Sequence, residues 1–216
     1  RIVCGDVGFG KTEIALRAMV HASHNGYQSA LVAPTTILAH QHYQNFQARL
    51  KDLPIRVEIL SRLQSKKEQT RILREIKGGT CDIVVGTHRL LSKDVDLSQT
   101  GLIVIDEEQR FGVRHKERLK DLRTQAHILT LSATPIPRTL YFSLSGLRDI
   151  STITTPPQGR QPIETYIEPY SEARVQEAIG QELGRGGQVF YLYNHVQTIH
   201  TAKRRLQEML GADVRI

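Results

Sequence analysis

The chain has 216 residues, 39% hydrophobic and 24% charged, with a formal net charge of +7. Length and composition exclude a disordered chain and leave room for one large α/β-sized domain, or one domain and part of another. No apolar run nears the ~20 residues that cross a bilayer, "RIVCGD" carries no export signal, and Cys4 and Cys81 read as reduced buried thiols, so a cytoplasmic protein without membrane partners is expected.

In chain order, short runs rich in Val and Ile alternate with helical patterns. Strands are expected at 1–4, 29–34, 56–60, 82–87, 101–106 and 127–134. They are almost continuously apolar, as strands covered on both faces are. The first helix follows the loop at 5–12, with Ile14, Ala15, Ala18, Met19 and Ala22 along one face. Further helices are expected over 36–50 and 66–77. This alternation predicts a doubly wound parallel sheet of class α/β over residues 1–150.

The stretch "TTPPQGRQP", within 151–162, reads as a linker. The alternation then restarts over 163–216: a strand at 163–168, a helix at 172–183, a turn at 184–187, a strand at 188–194, a helix at 197–210 and the start of another strand. The chain lacks an initiator Met and reads as one complete α/β domain, a linker and the first part of a second, a segment of something longer.

Residues 5–12, G-D-V-G-F-G-K-T, fit the G-x-x-x-x-G-K-[ST] phosphate loop. Glycines strip side chains from a strand-to-helix bend, so backbone N–H groups can curl around phosphates. Gly5, Asp6, Val7, Gly8, Phe9, Gly10, Lys11, Thr12 and Glu13 are therefore candidate ATP contacts. Lys11 would reach the terminal phosphates, and the Thr12 hydroxyl would serve Mg2+. Asp106 ends the apolar run Leu102–Ile105 and is the second candidate for Mg2+. Glu107 beside it is the candidate general base or water-orienting group, and Glu108 reads as solvated. Ser132, Ala133 and Thr134 end the next strand and could relay nucleotide state.

Two features remain open. The basic stretches 49–77 and 110–123 fit either a solvated helix face or a phosphate-backbone surface. With 6% aromatic residues and no Trp, base stacking is not the expected device. The nine histidines, His40 and His42 included, read as scattered surface residues without metal-ligand spacing.

Together, "GDVGFGKT", "APTTILAHQH", "GTHRLL", "DEEQRFGV", "SATPIPRT" and "GQVFYLYN" resemble motifs I, Ia, Ib, II, III and IV of the superfamily 2 helicases and translocases, in that order. The longer strings "GDVGFGKTEIALRA" and "DEEQRFGVRHKERLK" are most similar to the motor module of the bacterial transcription–repair coupling factor (Mfd) family, with RecG-type fork-remodelling helicases as near relatives. The resemblance implies a RecA-like P-loop helicase domain followed by the start of a second one. Asp106, Glu107 and Gln109 would form the DExH/Q box, with Gln109 and Arg138 in the network coupling nucleotide to motion. Pro34, Thr35, Thr36, Gly86, Thr87 and His88 would touch the sugar-phosphate backbone of double-stranded DNA. Lys11, Asp106, Glu107 and Gln109 are then the catalytic set, with ATP and Mg2+ as cofactors. The full-length relatives imply RNA polymerase and excision-repair proteins as partners. Motifs V and VI, with the arginine finger, are not among the strings in this chain, so little ATP hydrolysis is expected from it alone. Two other readings stand beside this one: a RecG-like motor, and a nucleotide-binding switch without motor function.

Overall fold

The computed structural model describes residues 1–108, 111–112, 119, 122, 126–133, 149–160 and 163–216. Gln109, Thr134, Arg138 and most of the basic stretch 110–123 lie outside the described residues.

Seven strands form one sheet among the described residues: β1 (Ile2–Gly5), β2 (Gln28–Val32), β3 (Val57–Leu60), β4 (Ile83–Gly86), β5 (Thr100–Asp106), β6 (His127–Ser132) and β7 (Ile150–Ile153). The order across the sheet is β3-β4-β2-β5-β6-β1-β7, and every pairing is parallel. Parallel neighbours need crossovers, and among the described residues three helices supply the first three: α1 (Lys11–His24), α2 (Thr36–Leu50) and α3 (Lys66–Lys77). The expected doubly wound α/β sheet is therefore present.

Alternation along the strands divides the core in two. Leu31, Ile83, Val85 and Val104 face one side, where they pack with Ala15, Leu16 and Met19 of α1 and Ala39, Phe46 and Leu50 of α2. Their neighbours Ala30, Val32, Val84, Ile103 and Ile105 face the other, with Ile72 and Ile76 of α3. Both faces are covered, which is why these strands read as unbroken apolar runs. The inward stripe of α1 differs in one place from the expected one. Leu16 is buried and Ile14 is 39% exposed, so the stripe is rotated toward Leu16.

Helix ends follow local chemistry. Thr35 caps α2, accepting from the Leu38 N–H at 3.2 Å, and Ser65 and Glu68 form a reciprocal capping box on α3. Gly86 is required by close approach: a Cβ there would lie 2.4 Å from the Leu60 carbonyl oxygen.

Strand β7 was not foreseen, because "ISTI" is short, half polar and only partly buried. It lies parallel to β1, with Gly5 level with Ile153. The first compact unit runs Arg1–Arg160 and the second Gln161–Ile216. In the second, α4 (Glu172–Gly184) and α5 (Ile199–Leu210) form where helices were expected. The expected strands at 163–168 and 188–194 do not form; neither is hydrogen-bonded into a ladder. A strand is specified by its partner as much as by its own residues, and neither segment finds one among the described residues.

Candidate functional site

The expected site residues that are described gather at the carboxyl edge of the sheet, where open parallel sheets bind ligands. β1 runs into the phosphate loop, β2 into Pro34–Thr36, β4 into Gly86–His88, β5 into Asp106–Glu107 and β6 into Ser132–Ala133. Asp106 pairs in register with Leu131, and Leu131 with Val3. The acidic pair thus stands two strand spacings, about 10 Å, from the strand that feeds the phosphate loop.

The loop turns tightly, with the Phe9 N–H donating to the Asp6 carbonyl at 3.2 Å. Gly8 and Gly10 have φ of 80° and 84°, a region that penalises side chains. Gly10 starts α1 without a side-chain cap, so the first N–H groups of the helix are left for an external acceptor. The Lys11 ammonium lies over the loop, donating to the carbonyls of Gly5 at 2.7 Å and Asp6 at 2.9 Å. Asp6, Val7 and Gly8 are exposed. Glu13 is otherwise engaged. It binds Arg17 and Arg49, both at 2.9 Å, and these hydrogen bonds hold its carboxyl below the ordinary range. The Arg49 pair ties α1 to α2.

Just past β5, Glu107 is the only non-glycine with positive φ among the described residues, at 51°. Such a backbone costs about 1–3 kcal/mol. It turns consecutive acidic side chains along different directions, and the Glu107 N–H is retained by the Leu131 carbonyl at 3.0 Å. Glu108 is half-buried rather than solvated and accepts from the Thr130 hydroxyl at 3.2 Å.

His42 corrects the surface reading of the histidines. It is buried on α2, and its Nε2 lies 2.9 Å from Asp106 Oδ2. The ring therefore orients the candidate magnesium carboxylate. The signal was present in the sequence: Ala39, His42, Phe46 and Leu50 form one helical stripe.

The ends of β2 and β4 adjoin, the Ala33 N–H donating to Gly86 O at 2.8 Å. This brings Thr35 and Thr36 beside Thr87 and His88. Thr35 is exposed, whereas Thr87 is buried and uses its hydroxyl to cap the short 3-10 turn His88–Leu91. The basic stretch 49–77 is partly neutralised from within. Arg56 and Arg71 both pair with Glu58 and Glu75 at 2.7–3.2 Å. Burial pushes the Glu58 carboxyl up, but the hydrogen bonds and charges of Arg71 and Arg56 together outweigh it and leave it below the ordinary range. Cys4 and Cys81 are free and buried, and burial pushes the Cys81 thiol up to about 12.

A model of the DEAD/DEAH box helicase family matches residues 1–141. The chain belongs to this family. As a helicase-family chain it is 54% identical over 210 residues to the transcription-repair-coupling factor of Escherichia coli (strain K12), covering 97% of this chain and 18% of that protein. It is 52% identical to the transcription-repair-coupling factor of Bacillus subtilis (strain 168), covering all of this chain and 18% of that one. The helicase chain thus spans about a fifth of the length of these relatives. Among solved structures, RecG bound to a three-way DNA junction superposes with a TM-score of 0.79 at 33% identity, covering 97% of this chain and 28% of that one.

Proposed function

We propose that this chain is the ATP-driven double-stranded DNA translocase module of a transcription–repair coupling factor, a protein that displaces stalled RNA polymerase and brings in excision repair. The observation carrying the motor reading is the shared sheet edge: a glycine loop with a free helix start on one side of β6, and Asp106–Glu107 on the other. The coupling-factor assignment rests on identity above 50% to two such proteins. RecG-type fork remodelling is the second reading, favoured by the 0.79 superposition.

The donors suit magnesium with a triphosphate. The Thr12 hydroxyl and the Asp106 carboxylate are hard oxygen ligands, few enough to leave positions for phosphate and water. Magnesium, when bound, would neutralise charge developing on the phosphates. Lys11 would exchange the carbonyls of Gly5 and Asp6 for phosphate oxygens. Glu107, on its strained backbone, would orient water and accept its proton. His42 would hold Asp106 in place. Ser132 and Ala133, with Thr134, Gln109 and Arg138, would relay nucleotide state. Pro34, Thr35, Thr36, Gly86, Thr87 and His88 would meet the DNA backbone, mainly through exposed Thr35 and the N–H groups of both strand ends, giving position without sequence reading.

An arginine finger is worth about 10³–10⁵ in rate, so a hydrolysis rate reports on more than the residues of this site. Binding is therefore the sharper test. Lys11→Ala should weaken ATP binding roughly 10- to 100-fold, because hydrogen bonds to charged groups are worth about 1.5–3 kcal/mol. Unchanged ATP affinity would remove the nucleotide site. Duplex and forked DNA compared as ligands separate the two motor readings; a marked preference for the fork favours the RecG type.

A further inference from the structure

Arg160, within the proline-rich linker stretch, reaches back across more than 150 residues to the phosphate loop. One Nη donates to the Val7 carbonyl, and the other lies 3.3 Å from Asp6 Oδ2. The guanidinium also covers the Phe9 ring, 4.8 Å from its centroid. The same Asp6 carboxylate takes the Val7 N–H through Oδ1 at 2.7 Å. A Cβ on Gly8 would come within 3.4 Å of Arg160 Nη1, so the side chain lies against the loop's outer surface.

The linker is shaped to deliver it. The Arg160 N–H donates to the Pro157 carbonyl at 3.3 Å, closing a four-residue turn. Gly159 occupies its third position with φ of 80°, as turns with a left-handed third residue require. β7, immediately upstream, is laddered to β1, the strand that launches the loop. Two independent attachments thus bind the linker to the phosphate loop.

We propose that Arg160 is a positioning residue for ATP binding, which fixes the Val7–Gly8 peptide plane and carries nucleotide occupancy into the linker. This rests on the nucleotide-site reading above. A donor held on the Val7 carbonyl turns the Gly8 N–H the opposite way across the planar peptide. Donation to the carbonyl also polarises the amide and strengthens its N–H toward a phosphate. Phe9 and Asp6 clamp the guanidinium so that the peptide has little freedom to rotate. Coupling is reciprocal: whatever orders the loop orders residues 154–160, and whatever pulls the linker changes ATP affinity.

The test is ATP binding to the full chain by calorimetry, with amide hydrogen exchange of residues 154–160 read with and without ATP. Arg160→Ala should weaken ATP binding roughly three- to tenfold, the worth of one well-placed donor. Arg160→Lys, which keeps charge but loses the fork and the flat stack, should fall between it and the parent. Gly159→Ala, which removes no loop contact, should weaken binding in the same direction by mis-aiming the turn. ATP should slow exchange at 154–160 in the parent and not in Arg160→Ala. Parent-like ATP affinity in Arg160→Ala, or no ATP-dependent protection of the linker in the parent, overturns the proposal. Lys11→Ala is the reference: if it too binds ATP normally, the nucleotide site itself is wrong and the proposal goes with it.

Discussion

Two apolar segments of this chain have opposite fates. Ile83–Val84–Val85 in β4 is buried, between β2 and β3 in the sheet. Val189–Phe190–Tyr191–Leu192 is also largely apolar, yet Phe190 is fully exposed and Leu192 nearly so. The difference is partnership. β4 is laddered on both sides and covered by helices on both faces, while 188–194 pairs with nothing among the described residues. In the second unit α4 and α5 bury only Ile179 and Leu206 of their large apolar residues. Hydrophobic pattern proposes a strand, and tertiary neighbours dispose of it.

The largest expected effect breaks the comparison at one atom type. Phe46→Ala removes a completely buried ring from the α1–α2 side of the sheet and should cost about 3–5 kcal/mol. Phe190→Ser removes a ring of the same size from the surface and should stay within about 0.5 kcal/mol. Urea denaturation followed by far-UV circular dichroism reads both. Equal losses would mean that 188–194 has a core the exposure does not reveal.

What was legible in the sequence follows the same division. The first six strands, the three crossover helices and the phosphate loop were readable because each signal is local: an apolar run, a 3.6-residue stripe, glycines before Lys-Thr. β7 was hidden because an edge strand buried on one side need not be apolar throughout. The His42–Asp106 pair joins residues 64 positions apart, and Arg160 meets a loop more than 150 positions away. No window over the sequence carries such contacts, although His42 betrayed itself by sitting in a buried stripe. Conversely, the resemblance placed Thr87 at the DNA backbone without giving its exposure: its hydroxyl is buried and caps the short turn that follows.

Glycines sharpen the contrast at intermediate magnitude. Gly86→Ala would press a methyl group to 2.4 Å from the Leu60 carbonyl and 2.8 Å from Leu90 Cγ. Overpacking of this kind costs roughly 1–3 kcal/mol. Gly180 lies inside α4 with open space around it, so Gly180→Ala should stabilise that helix by about 0.5–1 kcal/mol. Thermal melting should move down in the first variant and up, or not at all, in the second. A destabilised Gly180→Ala would show that α4 is covered by something.

The smallest effect separates the charges of the two regions. Glu58 has a side chain only 13% exposed and holds both Arg56 and Arg71, whereas Glu177, 54% exposed, holds Arg174 at one turn's spacing. The Arg71 and Arg56 interactions bring Glu58 below its ordinary value of 4.5 despite burial. A depressed folded-state value means that the folded protein binds the proton less readily than the unfolded chain. Its stabilisation is therefore complete above pH 4.5 and disappears as pH falls through the depressed value. Glu58→Gln should cost about 1 kcal/mol at pH 7, the upper range for surface pairs, and progressively less toward acid. Glu177→Gln should cost nothing measurable at any pH, because an exposed pair one turn apart is screened by water and pays for its own ordering. Melting curves of the two variants between pH 3 and 7 would then converge from Glu58→Gln's side only; parallel curves would mean that the β3–α3 network neutralises charge without holding the edge strand in place.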